Sequence, residues 1–169
     1  ASTFDKNLDD KGLFVIKAIS VAVPAVAEDP QKSNTSFVHR AFLTQYTGTG
    51  CGYCPAMIKI LRELFADKAV KAKTVHAAVH SYNSADPAYI SAPKVNSYPY
   101  LTVDQTQAFS HAQSVTVLKS LVEASTASSA KAGISVNPKY YAEAGVLVVT
   151  VSVKAAADGL FNVGAWLLE

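Results

Sequence analysis

The sequence predicts an α/β fold, with a strand–helix–strand unit at its centre and β-strand segments appended at both ends. A strand-like segment precedes a helix-like one with apolar residues three and four positions apart, and an apolar strand follows. β-Branched residues alternate with polar ones near both ends of the chain. We therefore divide the chain into an N-terminal β segment with its linker (1–36), an α/β domain (37–131) and a C-terminal β-hairpin (132–169).

The composition indicates a chain that can bury a core and carries little net charge. Half of the 169 residues are apolar, 17% are charged, and the formal net charge is +2. No basic stripe is interleaved with aromatic residues, so we do not expect nucleic acid as a partner. No apolar run approaches the roughly 20 residues that a helix needs to span a bilayer.

The apolar segment 13–27 has two interpretations. It is interrupted by Lys17 and Ser20 and ends in Ala25-Val26-Ala27, which resembles the cleavage site of a signal peptide. The lysine and the acidic residues in front of the segment are unlike a signal peptide. We therefore favour a pair of strands interrupted at Pro24.

The predicted α/β domain begins with a strand, a helix and a second strand. Val38–Tyr46 mixes β-branched and aromatic residues with polar ones, as strands do. A helix is predicted from Pro55 to about Lys68, because its apolar residues recur at helical spacing and proline is favoured in a first turn. Thr74–Val79 is short and apolar, which predicts a strand buried on both faces and parallel to the first.

Three further elements complete the predicted domain. Ser81–Ala92 contains turn formers and is predicted to be a loop with a helical turn. Tyr100–Val103 is predicted to be a third strand. Ser114 can cap a helix that runs to about Ala130. The apolar face of this helix would consist of Val117, Leu118, Leu121 and Val122.

The C-terminal segment predicts a β-hairpin with one buried face. Apolar and polar residues alternate over Val149–Lys154, Asp158-Gly159 is typical of a turn, and Leu160–Leu168 would be the second strand. Two or three strands do not form a stable sandwich alone. We therefore expect either a β-sandwich domain cut short at Glu169 or a tail that pairs with Leu13–Val23.

Cys51 and Cys54 are the two cysteines of the chain, and they lie between a Gly-rich turn and the predicted helix. A disulfide between residues only three positions apart closes a very short loop. It restricts the unfolded chain little and therefore adds little stability. At a helix N-terminus, free N–H groups and the macrodipole stabilise a thiolate. The motif therefore predicts a redox-active pair in which Cys51 is the nucleophile and Cys54 is the resolving thiol.

Zinc binding and an inert cysteine pair are the alternatives. His76 and His80 follow the cysteines, which superficially matches a site of two cysteines and two histidines. On a strand, however, four positions separate the histidines by roughly 13 Å, which is too far to share one ion. We therefore predict no metal site, and cysteines that only pack or form an inert bridge stay open as an interpretation.

Tyr98-Pro99 and His80 are further candidates for the site. Pro99 comes directly before a predicted strand, a position where proline is tolerated. Tyr98 would line a peptide groove or belong to the core and its rim. His80 is expected at the carboxyl end of its strand, the edge where open α/β sheets place their sites. There it would tune Cys51, and a simple polar strand end is the alternative.

These residues resemble the thioredoxin superfamily, which implies a thioredoxin-like domain with a central mixed sheet flanked by helices. The resemblance is carried by the run Gln45–Pro55, which contains the cysteine motif, and by Tyr98-Pro99 downstream. More narrowly, Tyr-Thr-Gly before the cysteines and Cys-Pro at their end resemble the thioredoxin-fold outer-membrane lipoproteins of Gram-negative bacteria, the Omp twenty-eight-related family. In that family a β-sandwich-like domain follows the redox domain. The resemblance covers roughly Phe37 to Ala130 well.

The resemblance implies thiol–disulfide exchange with exported proteins or peptides, without a cofactor, in the periplasm or at the outer membrane. Pro99 would be the cis-proline that faces the disulfide, and Tyr98 would present backbone groups to a substrate peptide. Association with the outer membrane would use an N-terminal lipid anchor that this chain has lost.

Two positions depart from the thioredoxin pattern. The buried acid usually found six residues before the first cysteine is Gln45, which cannot act as a base, and the usual tryptophan before that cysteine is Gly50. Tyr53 belongs to a Gly-Tyr dipeptide that is also found in periplasmic disulfide isomerases. Gln45 and the appended strands support a second hypothesis, a non-catalytic outer-membrane-associated binding or structural module that retains the fold.

Overall fold

The computed structural model describes residues 2–8, 14–26, 29, 31–92, 95–162, 164, 166 and 168. The chain divides into an α/β unit, residues 38–130 and 160–169, and a β unit, residues 1–37 and 131–159. In chain order, the elements are β1 (Ser2–Leu8), β2 (Phe14–Ser20), β3 (Ala41–Thr47), α1 (Cys54–Ala66), α2 (Lys68–Ala72), β4 (Thr74–His80), β5 (Tyr100–Val103), β6 (Gln107–Phe109), α3 (Val115–Ser125), β7 (Ala132–Tyr141) and β8 (Val146–Ala155). Among the described residues, no helix is long and apolar enough to cross a membrane.

The α/β unit is built on a four-stranded mixed sheet in the order β4-β3-β5-β6. β3 and β4 are parallel, and the other neighbouring pairs are antiparallel. The sequence predicted β4, β5 and the parallel pairing correctly. The predicted β3 began three residues too early and ended one residue too early, and β6 was not predicted. The loop 81–92 contains turns but no helix, so the helical turn predicted there was wrong.

Three residues, 104–106, join β5 to β6, and the Thr106 N–H donates to the Val103 carbonyl at 3.1 Å. Asp104 and Gln105 have φ angles of +51° and +58°, the pattern of a type I′ turn. The Asp104 carboxylate accepts hydrogen bonds from the Phe42 N–H at 2.7 Å and from the Ser125 hydroxyl at 2.6 Å. These bonds offset the cost of a left-handed aspartate, although Asn-Gly is the usual signature of this turn. The short β6 strand is therefore stabilised by contacts that the local sequence does not reveal.

The first helix ends earlier than predicted because Asp67 interrupts it. The Asp67 carboxylate accepts hydrogen bonds from the N–H groups of Ala69 and Val70 at 2.9 and 3.3 Å. It therefore caps α2 and separates it from α1, where the sequence predicted one helix to Lys68.

The third helix begins as predicted but ends sooner. The Ser114 hydroxyl accepts a hydrogen bond from the Val117 N–H at 3.2 Å, which confirms Ser114 as the N-cap. The helix ends at Ser125, and the Thr126 hydroxyl donates to a carbonyl of the last turn. The five residues to Ala130 that were expected to extend the helix are not helical.

The core of the α/β unit lies between the sheet and the helices. It consists of Ala41, Leu43, Met57, Leu61, Leu64, Val70, Leu101, Val103, Leu118 and Val122. Val117, which was predicted on the buried face of α3, is exposed. On β4, Ala77 and Val79 are buried, whereas Val75 and Ala78 are exposed. Ala77 and Val79 lie on one face of β4 and Ala78 lies on the other, so the prediction that β4 is buried on both faces was wrong.

The C-terminal residues belong to the α/β unit. At the described positions of 160–168 the chain forms no strand, so the hairpin partner predicted there was wrong. The Trp166 ring instead packs edge-to-face on Phe42 of β3, with ring centroids 5.4 Å apart. The tail thus makes an aromatic contact with the sheet, where the alternating pattern predicted a strand.

β1 and β2 form an antiparallel hairpin in the β unit. This confirms a strand within the segment 13–23. Its partner precedes it, however, and is not a strand beyond Pro24 as predicted. Leu13 and Ala27, the ends of the apolar segment, lie outside the described residues.

β7 and β8 form a second antiparallel hairpin, paired from Ala132↔Ala155 to Tyr141↔Val146. The strand predicted over 149–154 is therefore present, but its partner precedes it. β7 was not predicted, and it contains Pro138, a residue that cannot donate a hydrogen bond to a ladder. A short 3-10 helix, Ala142–Ala144, and Gly145 with φ of +61° make the connection.

The two faces of the β7–β8 hairpin have different surroundings. On the polar face, Lys154 Nζ lies 2.7 Å from Asp29 Oδ2. The Phe37 ring lies so close to Gly133 that a Cβ there would come within 2.5 Å of it. The exposed apolar side chains are Ile134, Val136, Tyr140, Leu147, Val149 and Val153.

Candidate redox site

Cys51 and Cys54 form a disulfide at the start of α1, with their Cα atoms 5.4 Å apart. Cys54 is the first residue of the helix and is 2% exposed, whereas Cys51 lies in the preceding turn and is 7% exposed. The predicted pairing of the two cysteines is confirmed. Cys51 is the more exposed residue of the two.

The N-terminus of α1 has no side-chain cap. Tyr53 occupies the N-cap position without a capping hydrogen bond, and the first turn contains no acidic residue. Pro55 has no N–H, and the Cys54 N–H donates to the Cys51 carbonyl at 3.3 Å. The positive end of the helix dipole therefore faces the cysteines without competition from a carboxylate in the first turn, an arrangement that stabilises a thiolate.

The turn before Cys51 is a type II turn. The Cys51 N–H donates to the Gly48 carbonyl at 3.3 Å, and Gly50 has a φ of +84°. Thr49 does not have a positive φ, so the two central residues follow the type II pattern. Residue 50 is thus glycine, where thioredoxins carry tryptophan, because this turn needs a left-handed backbone. At Gly48, a Cβ would come within 2.8 Å of the Tyr82 Cβ.

The buried carboxylate of Asp86 is hydrogen-bonded to this turn. Asp86 Oδ2 accepts a hydrogen bond from the Thr49 N–H at 2.6 Å and lies 2.8 Å from His80 Nδ1. Asp86 Oδ1 accepts a hydrogen bond from the Ala88 N–H at 3.0 Å. The N–H groups of Thr49 and Ala88, and then the imidazole, hold the pKa of the Asp86 carboxyl well below its usual range. Asp86 is therefore an anion at neutral pH.

Asp86 was not identified from the sequence. The available signal was an acidic residue in the loop that follows β4, since this loop leaves the carboxyl edge of the sheet. His80 does lie at the end of β4, as predicted. Its imidazole binds Asp86, so an effect of His80 on Cys51 would pass through Asp86 and Thr49.

Pro99 lies beside the turn that carries the cysteines. The Tyr98–Pro99 peptide bond is cis, as the resemblance implied, and Pro99 is buried. Tyr46 pairs with Tyr100 in the antiparallel β3–β5 ladder. Pro99, the residue before Tyr100, is therefore adjacent to the end of β3, where the turn to Cys51 begins.

Tyr98 is held by the segment after β4. Its hydroxyl donates to the Ser81 carbonyl at 3.0 Å and lies 2.9 Å from the Ser81 hydroxyl. Its ring packs edge-to-face on Tyr82, with centroids 5.2 Å apart. Both Ser81 and Tyr82 donate their N–H groups to the Thr47 carbonyl. One segment, Ser81–Ile90, thus contacts the turn before Cys51 and the residue before Pro99.

Gln45 and Tyr53 lie in opposite environments. Gln45 is 3% exposed on β3, between Ala78 and Leu101 in the sheet. Its Nε2 has no hydrogen-bond partner among the described residues. Tyr53 is 80% exposed between the two cysteines. The glutamine thus occupies the interior and the tyrosine the surface next to the disulfide.

His76 and His80 both lie on β4, which confirms the strand that was predicted to hold them apart. The His76 ring packs against Phe65 with centroids 5.4 Å apart, and burial lowers the pKa of His76. Cys51 and Cys54 are bonded to each other, so their sulfurs are not thiolate ligands in this state. Among the described residues, no group of three or more His, Cys, Asp or Glu side chains is placed to hold a metal ion.

The order of strands and helices from β3 to α3 is consistent with a thioredoxin-like fold. No family model and no curated protein matches the chain. Among solved structures, the chain is similar to HBP35 of Porphyromonas gingivalis, with a TM-score of 0.48 and 14% identity over 61% of this chain. The chain spans 38% of the length of that protein. The narrower likeness to outer-membrane lipoproteins stays a prediction.

Proposed function

We propose that this chain exchanges thiols and disulfides with exported proteins through Cys51 and Cys54. The observation that carries the proposal is their disulfide at an uncapped helix N-terminus. Such a position stabilises the thiolate that attacks or leaves during exchange. Location in the periplasm or at the outer membrane, through a lipid anchor, is part of the proposal and rests on the sequence resemblance.

The chemistry follows from the order of the two sulfurs. In the reduced protein, the Cys51 thiolate attacks one sulfur of a substrate disulfide, and the other substrate sulfur leaves as a thiolate. Cys54 then loses its proton and attacks the Cys51 sulfur, which releases the second substrate thiol. Two electrons pass to the substrate, and the Cys51–Cys54 disulfide forms. The reverse sequence oxidises a substrate dithiol.

The difference in burial supports these roles. A substrate sulfur must approach the attacking cysteine along the S–S axis, and Cys51 is the more exposed of the two. Cys54 is almost fully buried at the start of α1 and is reached by Cys51 from within the same turn. Cys51 is thus proposed as the nucleophile and Cys54 as the resolving thiol.

Tyr98 and Pro99 are proposed to hold the substrate peptide. The Tyr98 hydroxyl is occupied by Ser81, which leaves the backbone of Tyr98 as the group to offer a peptide. The exposed rings of Tyr53 and Tyr82 can cover apolar side chains of an unfolded substrate on either side.

The test is to trap the mixed disulfide. In Cys54→Ala, a substrate bound to Cys51 cannot be released by resolution, so disulfide-linked partners should accumulate in an extract of exported proteins. Non-reducing gels and mass spectrometry would detect them. Cys51→Ala is the matched control and should trap none. Equal yields of linked protein from both variants, or none from either, would contradict the proposal.

A binding or structural module is the second candidate, and the Gln45 amide supports it. The buried position that holds a proton-accepting acid in thioredoxins carries a side chain that cannot take the proton of Cys54. In this case the double variant Cys51→Ala/Cys54→Ala should retain the function of the protein in its cell. Loss of that function with unchanged folding and localisation would exclude the module.

A further inference from the structure

The contacts of Asp86 join the redox turn to a segment far from it in sequence. The Asp86 carboxylate is buried and bonds the Thr49 N–H at 2.6 Å, two residues before Cys51. His80 Nδ1 and the Ala88 N–H fix the orientation of the same carboxylate. The thiol–disulfide chemistry proposed above has no step for this anion, so a different role must account for a buried charge at this place.

We propose that Asp86 is a positioning residue of the redox centre, which stabilises the Cys51–Cys54 disulfide by anchoring the turn at Thr49. This inference rests on the proposed function and adds to it the residue that sets how easily the centre is reduced. His80 and Ala88 act by aiming the carboxylate.

The physical argument concerns the reduced state. A disulfide forms only when the two Cα atoms lie about 4.4–6.8 Å apart, and the distance here is 5.4 Å. Cys54 is fixed by the helix, whereas Cys51 is in a turn whose central residues are Thr49 and Gly50. After reduction, the anchored turn still holds Cys51 near Cys54. The high effective concentration of one thiol at the other then favours the disulfide.

The turn geometry provides a variant that breaks the anchor without removing the charge. Thr49 is the second residue of a type II turn, the position at which proline is favoured. Thr49→Pro keeps a compatible backbone but removes the N–H that Asp86 accepts. Asp86→Asn removes the acceptor charge itself. Thr49→Ser, which keeps the N–H and the hydroxyl, and Asp158→Asn, an exposed carboxylate, are the matched controls.

The measurement is the equilibrium of each purified chain with glutathione, in which two glutathione molecules reduce the disulfide to two thiols and form one oxidised glutathione. We expect Asp86→Asn and Thr49→Pro each to make the disulfide about tenfold easier to reduce. This corresponds to a potential about 30 mV less negative for a two-electron couple. Both controls should keep the wild-type value, and circular dichroism would verify folding.

Unchanged potentials in both anchor variants would overturn the inference. A shift in Asp86→Asn without one in Thr49→Pro would also overturn it, because the effect would then come from the charge and not from the anchor. If Asp86→Asn does not fold, Thr49→Pro decides alone. The potential is measured without a protein substrate, so failure to trap mixed disulfides would refute the proposed function while leaving this result standing.

Discussion

The α/β unit and the β7–β8 hairpin use apolar residues of similar size in opposite ways. Leu43, Leu101 and Leu118 have no exposed surface, whereas Ile134 is 71% exposed and Tyr140 is 64% exposed. In the α/β unit, helices cover one face of the sheet. In the described part of the β unit, Ala22, Pro24, Ala25 and Asp29 bond side chains on the polar face of the hairpin. Most side chains of the apolar face are exposed. An alternating pattern therefore predicts a face of a strand, but only a covering layer makes that face a core.

The largest expected effect separates the two regions directly. Leu43→Ala should lower the free energy of unfolding by about 2–5 kcal/mol, because it leaves a cavity among fully buried neighbours. Ile134→Ala removes a side chain of similar size from an exposed position and should change stability by no more than about 0.5 kcal/mol. Urea unfolding followed by circular dichroism measures both. A large loss in Ile134→Ala would show that the hairpin face is covered in solution.

A second prediction concerns pH, since all four histidines lie in the α/β unit. Burial lowers the pKa of His76 below its ordinary value of about 6.5. The unfolded chain therefore binds a proton more readily at this residue, and stability should fall as the pH drops below about 6.5 toward the lowered value. His76→Phe should remove this part of the pH dependence and keep the contact with Phe65.

The control for this experiment is His111→Gln, which changes an exposed histidine. Unfolding midpoints between neutral and mildly acidic pH would be compared for the three proteins. If wild type and His76→Phe lose stability in parallel over that range, the protonation of His76 is not the cause.

The smallest effects are expected at one exposed ion pair in each unit. Lys119 lies 2.8 Å from Asp67, and Lys154 lies 2.7 Å from Asp29. Exposed pairs contribute little and are screened by salt. Lys154 also donates to the carbonyls of Gln31 and Lys32 at 2.6 and 2.8 Å. Lys154→Met should therefore destabilise its unit more than Lys119→Met does, and the excess should persist at high ionic strength.

The bonded cysteine pair at the start of α1 could be predicted because its signals are local. A cysteine pair, a glycine-rich turn and the start of a helix lie within a dozen residues, and Ser114 likewise caps the residues that follow it. The boundary between α1 and α2 at Asp67 also has a local signal, the capping aspartate itself. It was missed because apolar residues continue at helical spacing on both sides of Asp67.

The remaining parts depend on contacts between distant segments. β7 was missed because Pro138 disfavours a strand, and only its partner β8 makes the pairing visible. The carboxylates of Asp86 and Asp104 bond backbone groups 37 and 62 positions away. Local sequence patterns extend over about a dozen residues and cannot include both members of such a pair. Neither aspartate could therefore be distinguished from an ordinary loop residue.

Together, these two aspartates give β3 a mechanical property. Asp104 bonds the Phe42 N–H near the first residue of the strand, and Asp86 bonds the Thr49 N–H just beyond its last residue. Each carboxylate comes from a different loop, so the central strand is tethered at both tips and cannot slide lengthwise without losing a bond. If the chain exchanges disulfides as proposed, force applied to Cys51 by a departing substrate would be borne by the sheet and not by the turn alone.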